Sequence, residues 1–272
     1  MHSRSRTLFS AVAAAALIAA PSVVRAQISV LSSTVEEKEA MKGEVYTGRI
    51  VISNPTTSPQ AVRIYQTDYN FKADGTSSFG DPGSTPRSNA SWVAPQTQRV
   101  TVPPRSEVTV PYSVKVPQND SLRGTYWSAI MVEAAQTAPG ATSGRGAQAQ
   151  VGIGSVIRYA IQVATHIGAT GTRTVKFEKP TAGQDSTGAA TLDLDVMTTG
   201  DRAVRPKLSV ELYDAQGVLK AKGKQDRGLV YPGSSFRQHF DFGKLSPGTY
   251  KAVVLADTGA EQVYASQFTI VF

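Results

Sequence analysis

One phrase, used twice, constrains this chain more than any other feature. Leu122-Arg123-Gly124-Thr125-Tyr126 leads into the apolar run 127–132, and Leu245-Ser246-Pro247-Gly248-Thr249-Tyr250 leads into 252–256. A turn glycine two residues before a Tyr that opens a strand is the signature of a tyrosine corner in a Greek-key sandwich. Pro-rich turns followed by alternating runs precede both copies: Pro103-Pro104-Arg105-Ser106-Glu107-Val108 and Tyr231-Pro232-Gly233-Ser234-Ser235-Phe236. Two copies 124 residues apart predict two sandwich units in tandem.

The patterning agrees. After Ala26 helical periodicity is nearly absent, and short β-rich runs alternate with Gly, Pro, Asn and Asp clusters. Strands are predicted at 28–34, 45–53, 60–69, 99–102, 108–116 and 125–134, then at 174–177, 190–197, 207–213, 218–222, 235–242, 249–256 and 263–272. Val108, Val110, Tyr112, Val114 and Val116 alternate with polar or small residues, which marks one buried face. Asp214-Ala215-Gln216-Gly217 reads as a hairpin turn. The fold class is therefore all-β: two tandem immunoglobulin-like β-sandwich domains, at 27–167 and 168–272, after a cleaved signal peptide at 1–26.

That leader has a basic start (Arg4, Arg6), an apolar stretch over 8–20 and a small-residue site at Val24-Arg25-Ala26. Its apolar stretch is shorter than the roughly 20 residues a spanning helix needs. The expectation is an exported protein, periplasmic or alternatively at the cell surface, with no transmembrane segment in the mature chain. Cysteine is absent, which removes thiol catalysis, zinc–thiolate sites and a disulfide framework. The net charge of +7 falls to about +4 without the three leader arginines and is spread along the chain, so no nucleic-acid partner is expected.

Two segments belong to the first unit alone. Residues 135–150 are rich in Ala, Gly, Gln, Ser and Thr, a composition that buries little apolar surface and implies a mobile loop. Next, Val151, Ile153, Ile157, Tyr159, Ile161, Val163 and Ile167 share one parity, with Gly152, Gly154, Arg158, Gln162 and His166 on the other. At 17 residues this run exceeds the usual strand of five or six. Its odd positions suit the unit's own core. An edge with such alternation is also a template for pairing with another chain, and the candidate partner-binding residues are Val151, Ile153, Ile157, Arg158 and Tyr159.

The order of motifs resembles the N-terminal domain of the PapD-like periplasmic pilus-assembly chaperones. It runs from Lys42-Gly43 through Ile50-Val51-Ile52-Ser53-Asn54-Pro55, Trp92-Val93-Ala94-Pro95 and Val102-Pro103-Pro104-Arg105-Ser106 to Val116-Pro117. It closes with Tyr126-Trp127-Ser128-Ala129-Ile130 and Val156-Ile157-Arg158-Tyr159. The outline is also similar to the WxL-interacting type of tandem Ig-like surface protein. The chaperone resemblance implies that the alternating strand is lent to a pilin-like subunit by β-strand addition, with Arg158 as a basic anchor for the subunit's carboxylate. The family's other basic residue, in the first strand, has no counterpart: Leu31-Ser32-Ser33-Thr34 offers hydroxyls. Tyr159-Ala160-Ile161 stands where the family has an aromatic-Arg-Pro ending.

No catalytic or metal site is expected, and no cofactor. His166 and His239 lie at ordinary strand positions, and no G-x-S-x-G, H-E-x-x-H or P-loop occurs. Asp68, Asn70, Asp74 and Asp81 lack the spacing of a calcium loop and read as Asx-turn residues. Glu36, Glu37, Glu39, Asp193 and Asp195 read as solvated acids. Trp92 and Trp127 read as packing residues. The functional expectation is a non-catalytic, protein-binding protein of the cell envelope, with assembly chaperoning of a pilus or surface subunit as its concrete form. The alternative is a structural or adhesive Ig-like module that binds a cell-wall or surface partner; an enzyme is a remote third.

Overall fold

The structure, a computed structural model, describes residues 28–135 and 157–272. The leader at 1–26 and most of the 135–150 segment, with Val151 and Ile153, lie outside the described residues.

The first unit contains β1 (Ser29–Val30), β2 (Val35–Ala40), β3 (Val45–Asn54), β4 (Gln60–Phe71), β5 (Ser77–Gly80), β6 (Val93–Pro95), β7 (Arg99–Val102), β8 (Ser106–Lys115), β9 (Gly124–Ala134) and β10 (Arg158–Ile167). They form two sheets. One has the order β1-β3-β8-β6; the other runs β2-β10-β9-β4-β5, with β7 also on β4. Their inner faces meet over Ile50, Ile52, Val62, Ile64, Val110, Val114, Ile130, Val132, Ile161 and Val163, all buried. The alternation in β8 works as predicted: Val110, Tyr112 and Val114 point inward.

The second unit contains β11 (Val175–Gln184), β12 (Ala190–Thr198), β13 (Lys207–Tyr213), β14 (Leu219–Asp226), β15 (Ser235–Asp241), β16 (Thr249–Asp257) and β17 (Val263–Val271). Its sheets are β11-β12-β15 and β14-β13-β16-β17, packed over Leu192, Leu194, Val196, Val210, Leu212, Phe236 and Val254. The 214–217 turn closes as expected, with Gly217 N–H on Asp214 O and Asp214 N–H on Val218 O, each at 3.0 Å. All described elements are strands and turns, and no helix there is long and apolar enough to cross a membrane.

One expectation needs correction. The predicted strand at 28–34 is only β1, which pairs antiparallel with β3; the chain then crosses to the opposite sheet as β2, parallel to β10 from Val35↔Gln162 to Ala40↔Ile167. The sequence of β2, Val-Glu-Glu-Lys-Glu-Ala, hides its strand character because its outward side chains are charged. It is held by backbone pairing and by ion pairs to the second unit rather than by an apolar stripe.

Candidate functional site

Strand β10 joins the two features that a partner could use, a backbone flank with no ladder partner among the described residues and a packed domain joint. On one side it pairs with β9 along its whole length, Arg158↔Glu133 to Ile167↔Gly124. On the other, pairing with β2 begins only at Gln162, where the Gln162 N–H donates to Thr34 O at 2.9 Å. Backbone groups of alternate residues point the same way along a strand. The N–H and C=O of Ala160 and Arg158 therefore face the same side as those of Gln162. Among the described residues nothing pairs with them in a ladder there.

The candidate residues sit around this flank. Ile157 precedes β10 and is 40% exposed. Tyr159 turns toward the core and donates its hydroxyl to Ile28 O at 3.1 Å. Arg158 lies on the outer face, its Nε 2.7 Å from Glu133 Oε2. Glu133 is almost buried, has Arg63 at 3.6 Å, and accepts from the Tyr65 hydroxyl at 3.1 Å. Arg158 is thus half of an ion pair, not a lone cation.

Lower on β10 the outer face packs against the second unit. Trp127 of β9 stacks on Tyr231, centroids 4.8 Å apart and planes within 4°. Its indole N–H donates to Tyr69 O at 2.6 Å. Tyr231 is fully buried and donates its hydroxyl to Gln162 Oε1 at 2.7 Å; burial pushes that hydroxyl far above the usual phenol range. Beside the stack runs a relay of polar contacts. Ala203 N–H donates to Thr125 Oγ1 at 2.9 Å, Thr125 Oγ1 meets His166 Nδ1 at 2.8 Å, and His166 Nε2 meets Glu37 Oε2 at 3.2 Å. Arg205 closes it on the other oxygen of Glu37. The two ring nitrogens of His166 thus bridge the Thr125 hydroxyl and the Glu37 carboxylate. The hydrogen bond from His166 holds Glu37 below the usual carboxylate range; burial opposes this, and Arg205 adds to it. Hydroxyl, imidazole and carboxylate stand in a row, but Thr125 is fully buried, so no substrate atom can reach its oxygen.

Two further ties fix the joint. Thr125 N–H donates to Asp201 O at 2.8 Å, while the Asp201 carboxylate takes Arg123 at 2.7 Å and Thr172 N–H at 2.6 Å. Burial works upward on Asp201, but the Thr172 N–H and the Arg123 guanidinium outweigh it and keep the group ionised. Arg202, buried, donates to Gly168 O at 2.5 Å and Thr170 O at 2.8 Å, and reaches Glu39 at 3.1 Å. Glu37 and Glu39, read from sequence as solvated acids, are interdomain contacts. The missed signal is their position on β2, which exists only once the first strand switches sheets. Asp68 accepts from Gly83 N–H at 3.1 Å and Thr85 N–H at 2.7 Å, and Asp74 caps its own turn through Thr76. Among the described residues no cluster of three metal-ligand side chains converges.

On the face of the joint near β4 lies a cleft of about 520 Å³, lined by Tyr69, Phe71, Lys72, Gln162, Arg227 and Phe236. Arg227 lies over the Phe236 ring at 4.9 Å.

Sheets and joint together define the class: a two-unit immunoglobulin-like β-sandwich protein. No family model and no curated protein matches the chain. Similar solved structures include a chain of the chaperone–tip adhesin complex of CFA/I fimbriae, at 11% identity and TM-score 0.46, covering 90% of this chain and 98% of that one. The class 5 fimbriae chaperone CfaA is similar at 9% identity and TM-score 0.46, over 88% of this chain and 98% of that one. A chain of the Salmonella enterica SafA pilin–SafB chaperone complex is similar at 13% identity and TM-score 0.40, over 91% and 97%.

Proposed function

We propose that this chain is an exported, non-catalytic protein-binding protein of the cell envelope that captures a pilin-like or other surface subunit by β-strand addition. The observation that carries the reading is the flank of β10 at 158–161, which presents backbone donors and acceptors with no ladder partner among the described residues. An added strand would lie end to end with β2 and extend the β2–β10 ladder. Exposed Ile157 offers an apolar contact at its start. Arg158, already balanced by Glu133, would orient the incoming backbone through hydrogen bonds more than through net charge.

Ala160→Pro tests this directly. It deletes one outward N–H on the open flank and leaves the core-facing side chains intact. Immobilised mature chain should retain a defined subunit from envelope extract. Ala160→Pro and Ile157→Asp should each reduce that retention about tenfold or more while thermal unfolding stays unchanged. Equal retention by both variants would end the proposal.

A further inference from the structure

Each sheet of a sandwich has two outer strands, and proteins protect such strands from unwanted pairing by keeping them short, charged, bulged or proline-bearing. Among the described strands the protection of outer strands is systematic with one exception. Strands β1, β5, β6 and β7 have two to four residues, and β6 ends in Pro95. Strand β2 carries Glu36, Glu37, Lys38 and Glu39. Strand β11 carries Lys176, Glu178, Lys179 and Pro180, and its register shifts between Glu178 and Thr181. Strand β14 carries Lys220, Lys222, Lys224 and Asp226, and β15 carries Arg237 and Asp241. Strand β17, Val-Tyr-Ala-Ser-Gln-Phe-Thr-Ile-Val, runs nine residues without a charge, a glycine or a proline. It pairs with β16 on one side, and its other flank has no ladder partner among the described residues; β11 approaches it without pairing.

We propose that β17 is a self-association edge, where a second copy of this chain pairs antiparallel about a two-fold axis at Gln267. The backbone parity allows it. Gly248 and Phe272 exchange both hydrogen bonds, at 3.0 and 3.1 Å, so the peptide groups of Phe272 face β16. Alternation then turns those of Val263, Ala265, Gln267, Thr269 and Val271 outward. These are the groups that the two-fold register uses: Gln267 meets Gln267, Ala265 meets Thr269, and Val263 meets Val271. The side chains are self-complementary in the same register. Val263 and Val271, 57% and 64% exposed, are the large apolar residues on the outer side of the strand. They stand four residues either side of Gln267, so each valine of one copy lies opposite a valine of the other. No charge of β17 opposes a like charge. The interface is isologous and closed, so it ends at a dimer rather than a filament. It does not involve the β10 flank and does not rest on the proposed function.

Sedimentation velocity of the mature chain over a tenfold dilution series reads the assembly directly. The wild type should be a reversible dimer. Gln267→Pro removes the central outward N–H twice per dimer and should weaken association roughly 30-fold with unchanged thermal unfolding. Val263→Lys with Val271→Lys, exposed positions that leave the core alone, should weaken it at least about tenfold. Because the chain contains no cysteine, Gln267→Cys should form a disulfide-linked dimer under mild oxidation, and Ala160→Cys should not. A wild type that stays monomeric throughout would overturn the assignment. A dimer unaffected by the proline and lysine substitutions, or one that crosslinks through position 160 and not 267, would do the same.

Discussion

The two copies of the Gly-Thr-Tyr phrase do different work. In the second unit Tyr250 donates its hydroxyl to Ser246 O at 2.7 Å, the bond that makes a tyrosine corner, and packs edge-on against Phe272 at 5.6 Å. In the first unit no such bond is present among the described residues. Tyr126 instead lies 4.8 Å from the Trp92 ring, under Arg87 at 5.3 Å. There the phrase serves the neighbouring domain. Gly124 sits at φ +71°, and a Cβ on it would come within 1.9 Å of Asp201 O. The same residues close a loop within one sandwich and join two sandwiches in the other. The side chain next after the Tyr marks the difference: buried Trp127 in one case, exposed Lys251 in the other.

The contrast can be broken by substitution. The largest effect belongs to Trp127→Ala, which empties the stack with Tyr231 and should destabilise by about 3–5 kcal/mol in denaturant titration; Lys251→Ala at the matching place should stay within about 0.5 kcal/mol. Gly124→Ala should cost about 2–3 kcal/mol, because a left-handed φ and a backbone collision combine. It should also loosen the joint, seen as faster proteolysis at 168–172. Tyr250→Phe removes a satisfied hydrogen bond and should cost about 1 kcal/mol, with Tyr126→Phe near neutral; equal losses would restore the symmetry that the sequence suggests. The smallest effect concerns pH. Glu37 is held below its ordinary value, so its contribution is complete above about pH 4.3 and is lost as pH falls through the lowered value. Glu37→Gln should flatten that acid limb in a series of melting temperatures against pH.

Much of the scaffold was legible because period-two alternation is a local signal. Strands β3, β4, β9 and β13 begin within a residue of where the pattern places them. The joint was not legible, because its contacts link residues that no local window holds together. Arg205 reaches Glu37 across 168 positions and Tyr231 reaches Gln162 across 69. Glu37 and Glu39 read as solvated acids because their arginine partners, Arg205 and Arg202, belong to another domain. Likewise β11 read as a short strand at 174–177; it continues to Gln184 past the irregularity between Glu178 and Thr181, with Lys179 at φ +51°. At Arg158 the sequence shows a cation, and only the fold reveals Glu133 opposite it.

The parallel pairing of β2 with β10 also sets an order of events. Val35 can find Gln162 only after most of the first unit's chain has been placed between them, and closing so long a loop is slow relative to forming local hairpins. The sheet that carries the open flank is therefore completed late. Refolding of the mature chain should show hairpin formation first and a slower phase as β10 docks, with the Trp127 environment, set by Tyr231 across the joint, reporting the last step.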